Sequence, residues 1–549
     1  MRRYLDRLAA FGFSGQVLIA EHGKIVLDES RGLADAARGI AVTSHTRFPV
    51  ASLTKQFTAL AVLDLERSGR LSLADTLGRF FPDVPADKSS ITVEQLLTHT
   101  SGLRREAQSD TLGRDAAVRR ILASPLRQPP GRAFSYSNAG YELLAAIVER
   151  ASGESYDRSV SRRVFGPAGM HESGFLDESP ARGAPFASGT CDGLSTGLPR
   201  DPAPGWKGTG SGSAYSTTTD LLRWHRALLE GHIVPDGVRR RMMTPRVETG
   251  EGTRYGYGWF VASPGTDSML VFHGGDARGF HSELRWYPRE DQLFIILTNQ
   301  DVFDIDGGAV AKRLIVRGLR RILLGAPADA VPEATPLAAA DLASLVGTYD
   351  LGDGDRLELA IAGGNLRAEA SGSRAARALL PASDTLAAIQ ESFDAEARSL
   401  IHAAATGDTS ALTGPRARAD LEFARPFLSE EIEGDRARDG ELRSIEIVGT
   451  APIPWDASAW RTYALLHFER SIVDLYLGRD GPTLNDCTSG AGFQHPLTLP
   501  VARRSAGELV AFDLLRRHSV PLVVERAADG SVAALRIGGA EGPRASRVR

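Results

Sequence analysis

The chain has 549 residues, of which 42% are hydrophobic and 24% are charged, and its formal net charge at pH 7 is −4. This length exceeds what one hydrophobic core usually organises, so we expect one large domain with smaller ones attached. The balanced charge offers no concentrated basic face for nucleic acid, and no apolar run reaches the roughly 18 residues of a membrane span. We therefore exclude nucleic acid as a partner and expect no membrane span.

The first part of the chain has predicted strands at both ends and predicted helices between them. Residues 15–20 and 24–27 flank a turn at Glu21-His22-Gly23, which predicts a β-hairpin. Residues 53–68 lack glycine and proline and are apolar on nearly all sides, which predicts a helix buried within a large domain. Further helices are predicted at residues 92–98, 140–151, 218–229 and 309–324, and further strands at residues 256–262, 269–273, 282–287 and 293–298. Since strands stand at both ends with helices between them, we expect an α/β sandwich built on one antiparallel sheet.

A stretch dense in alanine and proline follows at residues 325–336 and has the composition of a linker. We therefore predict a first domain at residues 1–325 and a linker at residues 326–337. Alternating short strands then predict a small β domain in two halves, residues 338–390 and 491–549, around an inserted α+β module at residues 391–490. A single irregular C-terminal domain is the alternative.

The cysteines and the first residues of the chain indicate the cellular compartment of the protein. Cys191 and Cys487 have no partner at the spacing of a metal site or a disulfide framework, so we expect two free thiols. The chain reaches Asp6 and Arg7 before any apolar core, which argues against an intact signal peptide. We expect a cytoplasmic protein as the chain is written, and a secreted or periplasmic one if a signal peptide has been trimmed.

A possible nucleophile lies at the start of the predicted buried helix. Ser52 and Lys55 form an S-x-x-K pattern, and their spacing places the amine over the hydroxyl on one helix face. A serine hydroxyl needs a neighbouring base, and a desolvated lysine can serve as one. The free backbone N–H groups of the helix N-terminus also favour an oxyanion near Ser52. Alone, the pattern is weak, because serine at a helix start is usually a cap.

Two further clusters strengthen this pattern. Tyr136 and Asn138 form Y-x-N, and His273-Gly274-Gly275 follows in the H-x-G arrangement. In this order the three motifs resemble the signature of the β-lactamase-like serine hydrolases, which include class C β-lactamases, penicillin-binding proteins, DD-peptidases, D-aminopeptidases and related esterases. The flanking stretches at residues 46–52, 96–103, 130–132, 216–221 and 255–259 resemble this family too. The resemblance covers roughly residues 10 to 325 and implies the family's antiparallel sheet with a helical subdomain.

The resemblance implies a role for each matching residue. Ser52 becomes the acylated nucleophile, Lys55 its proton partner and Tyr136 the co-base. Which of Lys55 and Tyr136 takes the proton stays open, because the two titrations are coupled. Asn138 would bind the substrate carbonyl or amide and orient Lys55. The backbone N–H groups of Ser52 and Asp276 would bind the oxyanion, and neither a metal nor another cofactor is expected.

The chain departs from the β-lactamase pattern at one motif. His273 stands where β-lactamases usually carry the lysine of K-T-G, and Gly274 replaces the threonine. A histidine that is mostly neutral and a residue without a hydroxyl bind a carboxylate poorly, so an esterase or peptidase is favoured over a β-lactamase. We expect Gly274 and Gly275 to let a substrate backbone approach the strand closely.

Other polar and aromatic residues have two interpretations each. Arg278 and Arg285 either recognise a substrate carboxylate or, more commonly, are solvated or paired. His99 is interpreted as a structural residue in its turn rather than a catalytic one. The aromatic residues that either line the cleft or pack in the core are Trp206, Tyr255, Tyr257 and Trp259.

We therefore expect a serine hydrolase that forms a Ser52 acyl-enzyme from a carboxylic ester or a peptide-like amide. The alternatives are a transacylase or peptide cyclase of the same fold, a D-aminopeptidase, DD-peptidase or weak β-lactamase, and a catalytically degenerate binding protein. The partner is a small-molecule or peptide substrate, and the oligomeric state is open. The C-terminal β region weakly resembles the lipocalin-like domains attached to some family members, and we expect it to shape or cover the mouth of the site.

Overall fold

The computed structural model describes residues 1–105, 112–176, 185–191, 194–197, 205–250, 252–277, 279–300, 309–328, 330–362, 364–380, 384–453, 456–489, 498–513 and 518–548. Two residues named above lie outside this description, namely Arg278 and the side chain of Cys191. Among the described residues, no helix combines the length and the apolar character needed to cross a bilayer.

An antiparallel sheet of eight strands forms the centre of the first region. In chain order its strands are Gly15–Glu21, Lys24–Arg31, Val247–Gly250, Thr253–Tyr255, Phe260–Ala262, Leu270–Ala277, Phe280–Tyr287 and Gln292–Thr298. The N-terminal strand pairs with the last of these, with Val17 opposite Ile296. This pairing confirms that both ends of the region complete one antiparallel sheet.

One face of this sheet is covered by helices. The helix Thr54–Arg67 lies at their centre, and eleven of its fourteen residues are buried, as its apolar surface predicts. The other helical segments of this region are Leu77–Phe80, Val93–Leu97, Arg114–Ala123, Asn138–Ser152, Tyr156–Val160, Ser161–Phe165, Gly166–Ala168, Thr218–Leu229 and Asp236–Met243. Three smaller sheets are formed by the short strands Leu33–Asp35, Ile40–Ala41, Phe48–Pro49, Gly174–Phe175, Gly189–Cys191, Leu194–Gly197 and Ala214–Ser216.

The opposite face of the sheet is covered by the helices Arg2–Ala10 and Ala309–Leu323. Strand residues alternate between the two faces, so Leu18 joins the helical core on the first face while Val17 joins the core on the second. Val331, within the predicted linker, is also buried in this second core. At Val331 the linker therefore packs against the core on the second face of the sheet.

A closed eight-stranded barrel follows the central sheet. Its strands are Gly347–Gly352, Asp355–Ala362, Asn365–Ser371, Thr498–Ser505, Glu508–Asp513, His518–Arg526, Val532–Ile537 and Arg544–Arg547, and the short helices Ala339–Leu345 and Ser373–Leu379 accompany them. Closure leaves no unpaired edge strand. The β region expected near the C-terminus is thus a barrel, and its likeness to lipocalins stays a prediction.

The barrel packs on the second face of the central sheet. Phe512 of the barrel packs against Phe11 with ring centroids 5.0 Å apart and ring planes tilted by 48°, and both belong to the core that contains Val17. The helix that begins beside Ser52 belongs to the core of the first face. These contacts give no support to the prediction that the barrel covers the mouth of the site.

A layered α+β segment interrupts the barrel between its third and fourth strands. It contains the helices Asp384–Thr406 and Gly414–Asp439 and a four-stranded sheet, Leu442–Ile453, Asp456–Phe468, Ile472–Asp480 and Thr483–Ser489, and these pack around a core of their own. The second helix continues through Pro426, which lies in its interior. The boundaries proposed for independent domains stay predictions.

Candidate active site

Ser52 lies in a single 3₁₀ turn, Ala51–Leu53, directly before the helix Thr54–Arg67. Ala51 has a positive φ of 45°, which is uncommon for a residue with a side chain. Thr54 holds this turn, since its Oγ1 donates to the Ala51 carbonyl at 2.7 Å and accepts from the Ala214 N–H at 3.0 Å. The serine is therefore presented on a tightly held turn.

Lys55 is fully buried and lies beside this serine. Its Nζ is 3.1 Å from Ser52 Oγ, 2.7 Å from Asn138 Oδ1 and 2.7 Å from the Ser211 carbonyl oxygen. An ammonium group can donate one hydrogen to each of these three oxygens. A neutral amine can donate to Asn138 and Ser211 and direct its lone pair to the Ser52 hydroxyl. The arrangement accommodates both protonation states that proton transfer requires.

The segment that carries Tyr136 and Asn138 is fixed by a helix cap. Ser137 caps the helix Asn138–Ser152, with its Oγ accepting from the Gly140 N–H at 3.0 Å. The Asn138 N–H donates to the Arg105 carbonyl at 2.9 Å. The Tyr136 ring then lies with its centroid 4.8 Å from Lys55 Nζ. The structure thus brings Ser52, Lys55, Tyr136 and Asn138 together.

His99 packs against the segment that carries Tyr136 and Asn138. It is fully buried, its ring lies 4.3 Å from that of Tyr136 between centroids, and its Nδ1 accepts a hydrogen bond from the Ser137 N–H at 3.1 Å. Burial, together with the charge of Lys55, lowers the pKa of His99 well below its ordinary value, so it is neutral. These contacts fit a structural residue.

His273 is buried on the neighbouring strand, Leu270–Ala277. Its Nδ1 is 2.6 Å from the Gly274 carbonyl oxygen and its Nε2 is 3.1 Å from Tyr255 Oη. The carbonyl can only accept, so Nδ1 carries the hydrogen and Nε2 accepts from the tyrosine hydroxyl. Burial, followed by the charge of Lys55, lowers the pKa of His273 to about 3. His273 is therefore neutral, and both of its ring nitrogens bind within the protein.

The two glycines after His273 lie close to other groups of the chain. A Cβ on Gly275 would lie 2.1 Å from the Val50 carbonyl oxygen and 3.0 Å from the Ser52 nitrogen. A Cβ on Gly274 would lie 2.9 Å from Lys312 Nζ. Groups of this chain therefore occupy the space that a side chain at either position would need. The approach of a substrate backbone to this strand stays a prediction.

Two contacts of the site were not predicted from the sequence. One is the Ser211 carbonyl, which binds Lys55 from a loop far along the chain. The other is Lys312, whose Nζ lies 2.6 Å from Asp276 Oδ1. Burial would raise the pKa of Asp276, but a hydrogen bond from His281 and the charge of Lys312 outweigh burial and lower it to about 2. No sequence signal singles out Lys312, because the helix Ala309–Leu323 also carries four arginines.

The remaining predicted residues have internal partners. Arg285 Nε is 2.5 Å from Glu283 Oε1, which is the paired alternative stated above for this arginine. Tyr255, Tyr257 and Trp259 are buried, while Trp206 packs against the same core and is half-buried. Among the described residues, no group of three or more His, Cys, Asp or Glu side chains is arranged to hold a metal ion.

Comparison with known proteins found related sequences and related folds. The sequence is 29% identical to Penicillin-binding protein 4* of Bacillus subtilis over 408 residues, which are 68% of this chain and 87% of that protein. The crystal structure of a penicillin binding protein from Bacillus halodurans covers 57% of this chain and 98% of its own, with 28% identity and a TM-score of 0.51. The structure of SurE with D-Leu covers 99% of this chain and 97% of its own at 20% identity and a TM-score of 0.51, which shows a shared fold that includes the barrel.

The strongest of these findings concerns the region around Ser52. The sequence model of the Beta-lactamase family matches residues 3–316, which is more than half of the chain and includes each of the three motifs. The chain belongs to the Beta-lactamase family of serine hydrolases.

Proposed function

We propose that the chain hydrolyses a carboxylic ester or a peptide-like amide through an acyl-enzyme on Ser52. One observation carries this proposal. Lys55 Nζ lies 3.1 Å from Ser52 Oγ while its other acceptors, Asn138 Oδ1 and the Ser211 carbonyl, hold it there at 2.7 Å. A buried amine held in this way is suited to accept the hydroxyl proton of a nucleophilic serine.

The first step forms a bond between Ser52 Oγ and the substrate carbonyl carbon. The hydroxyl proton passes to Lys55 Nζ, directly or with Tyr136 as co-base, and the carbonyl oxygen becomes an oxyanion. Collapse of this intermediate breaks the bond to the leaving alcohol or amine, which takes up the proton. Water then attacks the ester on Ser52, releases the carboxylic acid and restores the hydroxyl.

The oxyanion is stabilised by the backbone N–H groups of Ser52 and Asp276. The close approach of Gly275 to the Ser52 nitrogen supports this assignment, because it brings the end of the strand Leu270–Ala277 beside the turn Ala51–Leu53. A donor fixed before the reaction costs no reorganisation when the charge develops, and removing one typically slows the reaction by about 10² to 10³.

The neutral His273 supports the substrate class proposed here. A neutral imidazole whose two nitrogens already bind Tyr255 and the Gly274 carbonyl offers no cation to a substrate carboxylate. Gly274 adds no hydroxyl, and Arg285 is paired with Glu283. These features favour an ester or amide without a carboxylate beside the scissile bond, as opposed to a penicillin.

A screen of substrates tests the proposal. Wild-type protein is incubated with activated esters and with D- and L-aminoacyl amides, both with and without amine acceptors. The masses of the products are measured by mass spectrometry. We expect hydrolysis that Ser52→Ala and Lys55→Met abolish, and that Ser159→Ala, a change of a buried serine outside the site, retains. A product joined to the amine points to acyl transfer, and activity that survives Ser52→Ala contradicts the proposal.

A further inference from the structure

A buried ammonium group lies behind the strand that carries Gly275. Lys312, on the helix Ala309–Leu323, has a side chain only 3% exposed. Its Nζ lies 3.2 Å from the Gly275 carbonyl oxygen, 2.6 Å from Asp276 Oδ1 and 3.8 Å from Glu283 Oε2. It therefore donates to the peptide unit that joins Gly275 to Asp276.

This peptide unit contains the proposed oxyanion donor. The carbonyl of Gly275 and the N–H of Asp276 belong to the same planar group and point in opposite directions in the trans form. A cation that binds the carbonyl holds the plane of the peptide. It also polarises the amide, which makes the N–H at the other end a stronger donor.

We propose that Lys312 is a positioning residue for acyl transfer, acting through the Gly275–Asp276 peptide to orient and strengthen the Asp276 N–H as an oxyanion donor. This inference rests on the proposed function at Ser52. Lys312 touches neither the nucleophile nor its lysine and acts on the opposite side of the strand.

Neighbouring groups hold the Lys312 ammonium group beside the Gly275 carbonyl. Asp276 Oδ1 also binds His281 Nδ1 at 2.9 Å, so this carboxylate links the lysine to the next strand, Phe280–Tyr287. Glycine at position 274 leaves the space that the ammonium needs, since a Cβ there would lie 2.9 Å from Nζ. A neutral His273 and a cationic Lys312 thus occupy the two faces of the same strand.

A purely structural role for Lys312 is the competing explanation. In that case it only neutralises Asp276 and Glu283, and its loss lowers stability without a specific effect on the transition state. Lys88 offers a matched control, because its side chain is also 3% exposed and pairs with an aspartate, Asp87, at 2.7 Å. Lys88 makes its ion pair outside the site.

The test compares four variants of the full chain with an activated ester. These are Lys312→Met, Lys312→Arg, Lys88→Met and the double variant Lys312→Met with Asp276→Asn. We expect Lys312→Met to lower kcat about 10-fold with KM nearly unchanged, because the oxyanion exists only in the transition state. Lys312→Arg keeps a cationic donor and regains part of the rate. The double variant stays slow although the unpaired carboxylate is gone.

The carbonyl stretch of the Ser52 acyl-enzyme is a second readout. A stronger N–H donor lowers this infrared frequency, so the band is expected to move to higher frequency in Lys312→Met and to stay in place in Lys88→Met. An unchanged band, equal slowing in Lys312→Met and Lys88→Met, or full recovery in the double variant overturns the role of Lys312 while leaving Ser52 as the nucleophile. A wild-type chain that forms no Ser52 acyl-enzyme overturns the proposed function, and this inference with it.

Discussion

Asn138 Oδ1 accepts a hydrogen bond of 2.7 Å from Lys55 Nζ, and this bond joins the starts of two buried helices. It explains why the Y-x-N and S-x-x-K motifs, far apart in sequence, form one site. The orientation of the amine toward Ser52 depends on it.

Asn138→Ala is therefore expected to slow acylation of Ser52 by about 10- to 100-fold, because the amine loses an acceptor that directs it toward the hydroxyl. Stopped-flow kinetics with an activated ester measures the rate, and thermal unfolding shows whether the variant is folded. Asn138 lies at a helix start capped by Ser137, so a small change in stability is expected. An unchanged acylation rate would show that Asn138 does not orient the lysine.

His99→Phe is expected to lower the free energy of unfolding by about 1 to 3 kcal/mol, because the buried Ser137 N–H loses its acceptor. His99 also has a positive φ of 58°, which asparagine tolerates better than phenylalanine does. His99→Asn should therefore lower the free energy of unfolding by less than His99→Phe does. Urea unfolding of the two variants measures the difference, and equal stability of His99→Phe and wild type would contradict the structural role.

Buried histidines make the protein sensitive to acid. Burial is the main cause that lowers the pKa of His225 to about 3, with the charge of Arg226 second, and His273 has a similar value. In the unfolded chain a histidine titrates near pH 6.5. Between about pH 6.5 and about pH 3 the unfolded state binds protons that the native state does not bind, so stability falls as the pH falls, by about 1.4 kcal/mol per pH unit for each such histidine.

His225→Phe tests this dependence away from the site. His225 is buried against Trp286, and its Nδ1 has no hydrogen-bond partner within the part of the chain that the structure describes. Phenylalanine therefore removes the titrating group without breaking a bond to Nδ1 in that part of the chain. The variant should lose less stability than wild type between pH 6.5 and about pH 4, by about 1.4 kcal/mol per pH unit. Urea unfolding over this range provides the values, and parallel curves would mean that His225 is not buried as neutral imidazole.

The barrel contributes to the stability of the first region through Phe512. Its side chain is 1% exposed and packs against Phe11, so Phe512→Ala should cost about 3 to 5 kcal/mol of unfolding free energy. Phe423 is 52% exposed and provides the matched control, with an expected change within about 0.5 kcal/mol for Phe423→Ala. Equal effects of the two changes would show that the barrel does not pack at this surface.

The candidate site was predictable where its residues carry local motifs. Ser52 and Lys55 are one helical turn apart, so their contact follows from spacing alone. Tyr136, Asn138 and His273 were placed by resemblance, because nothing local links them to the first helix. The Ser211 carbonyl and Lys312 were missed, since a backbone oxygen has no sequence signature and one lysine in a helix does not identify its partner.

The fold was predictable where hydrophobic patterns are strong, and the ends of elements were less so. The strand predicted to stop at His273 continues through Gly274, Gly275 and Asp276 to Ala277, because pairing with the next strand outweighs the weak strand preference of glycine. The helix Gly414–Asp439 continues past Pro426 for a similar reason, since tertiary packing outweighs local preference. Closure of the barrel across an inserted segment depends on long-range pairing that no local pattern contains.

The most direct test of Ser52 as the nucleophile is the mass of the protein after reaction with a fluorophosphonate, followed by mapping of the modified peptide. We expect one adduct, located on Ser52 and absent from Ser52→Ala, and we expect it to form much more slowly in Lys55→Met. An adduct on another residue, or none on a folded wild-type chain, would contradict the assignment of Ser52 as a nucleophile activated by Lys55.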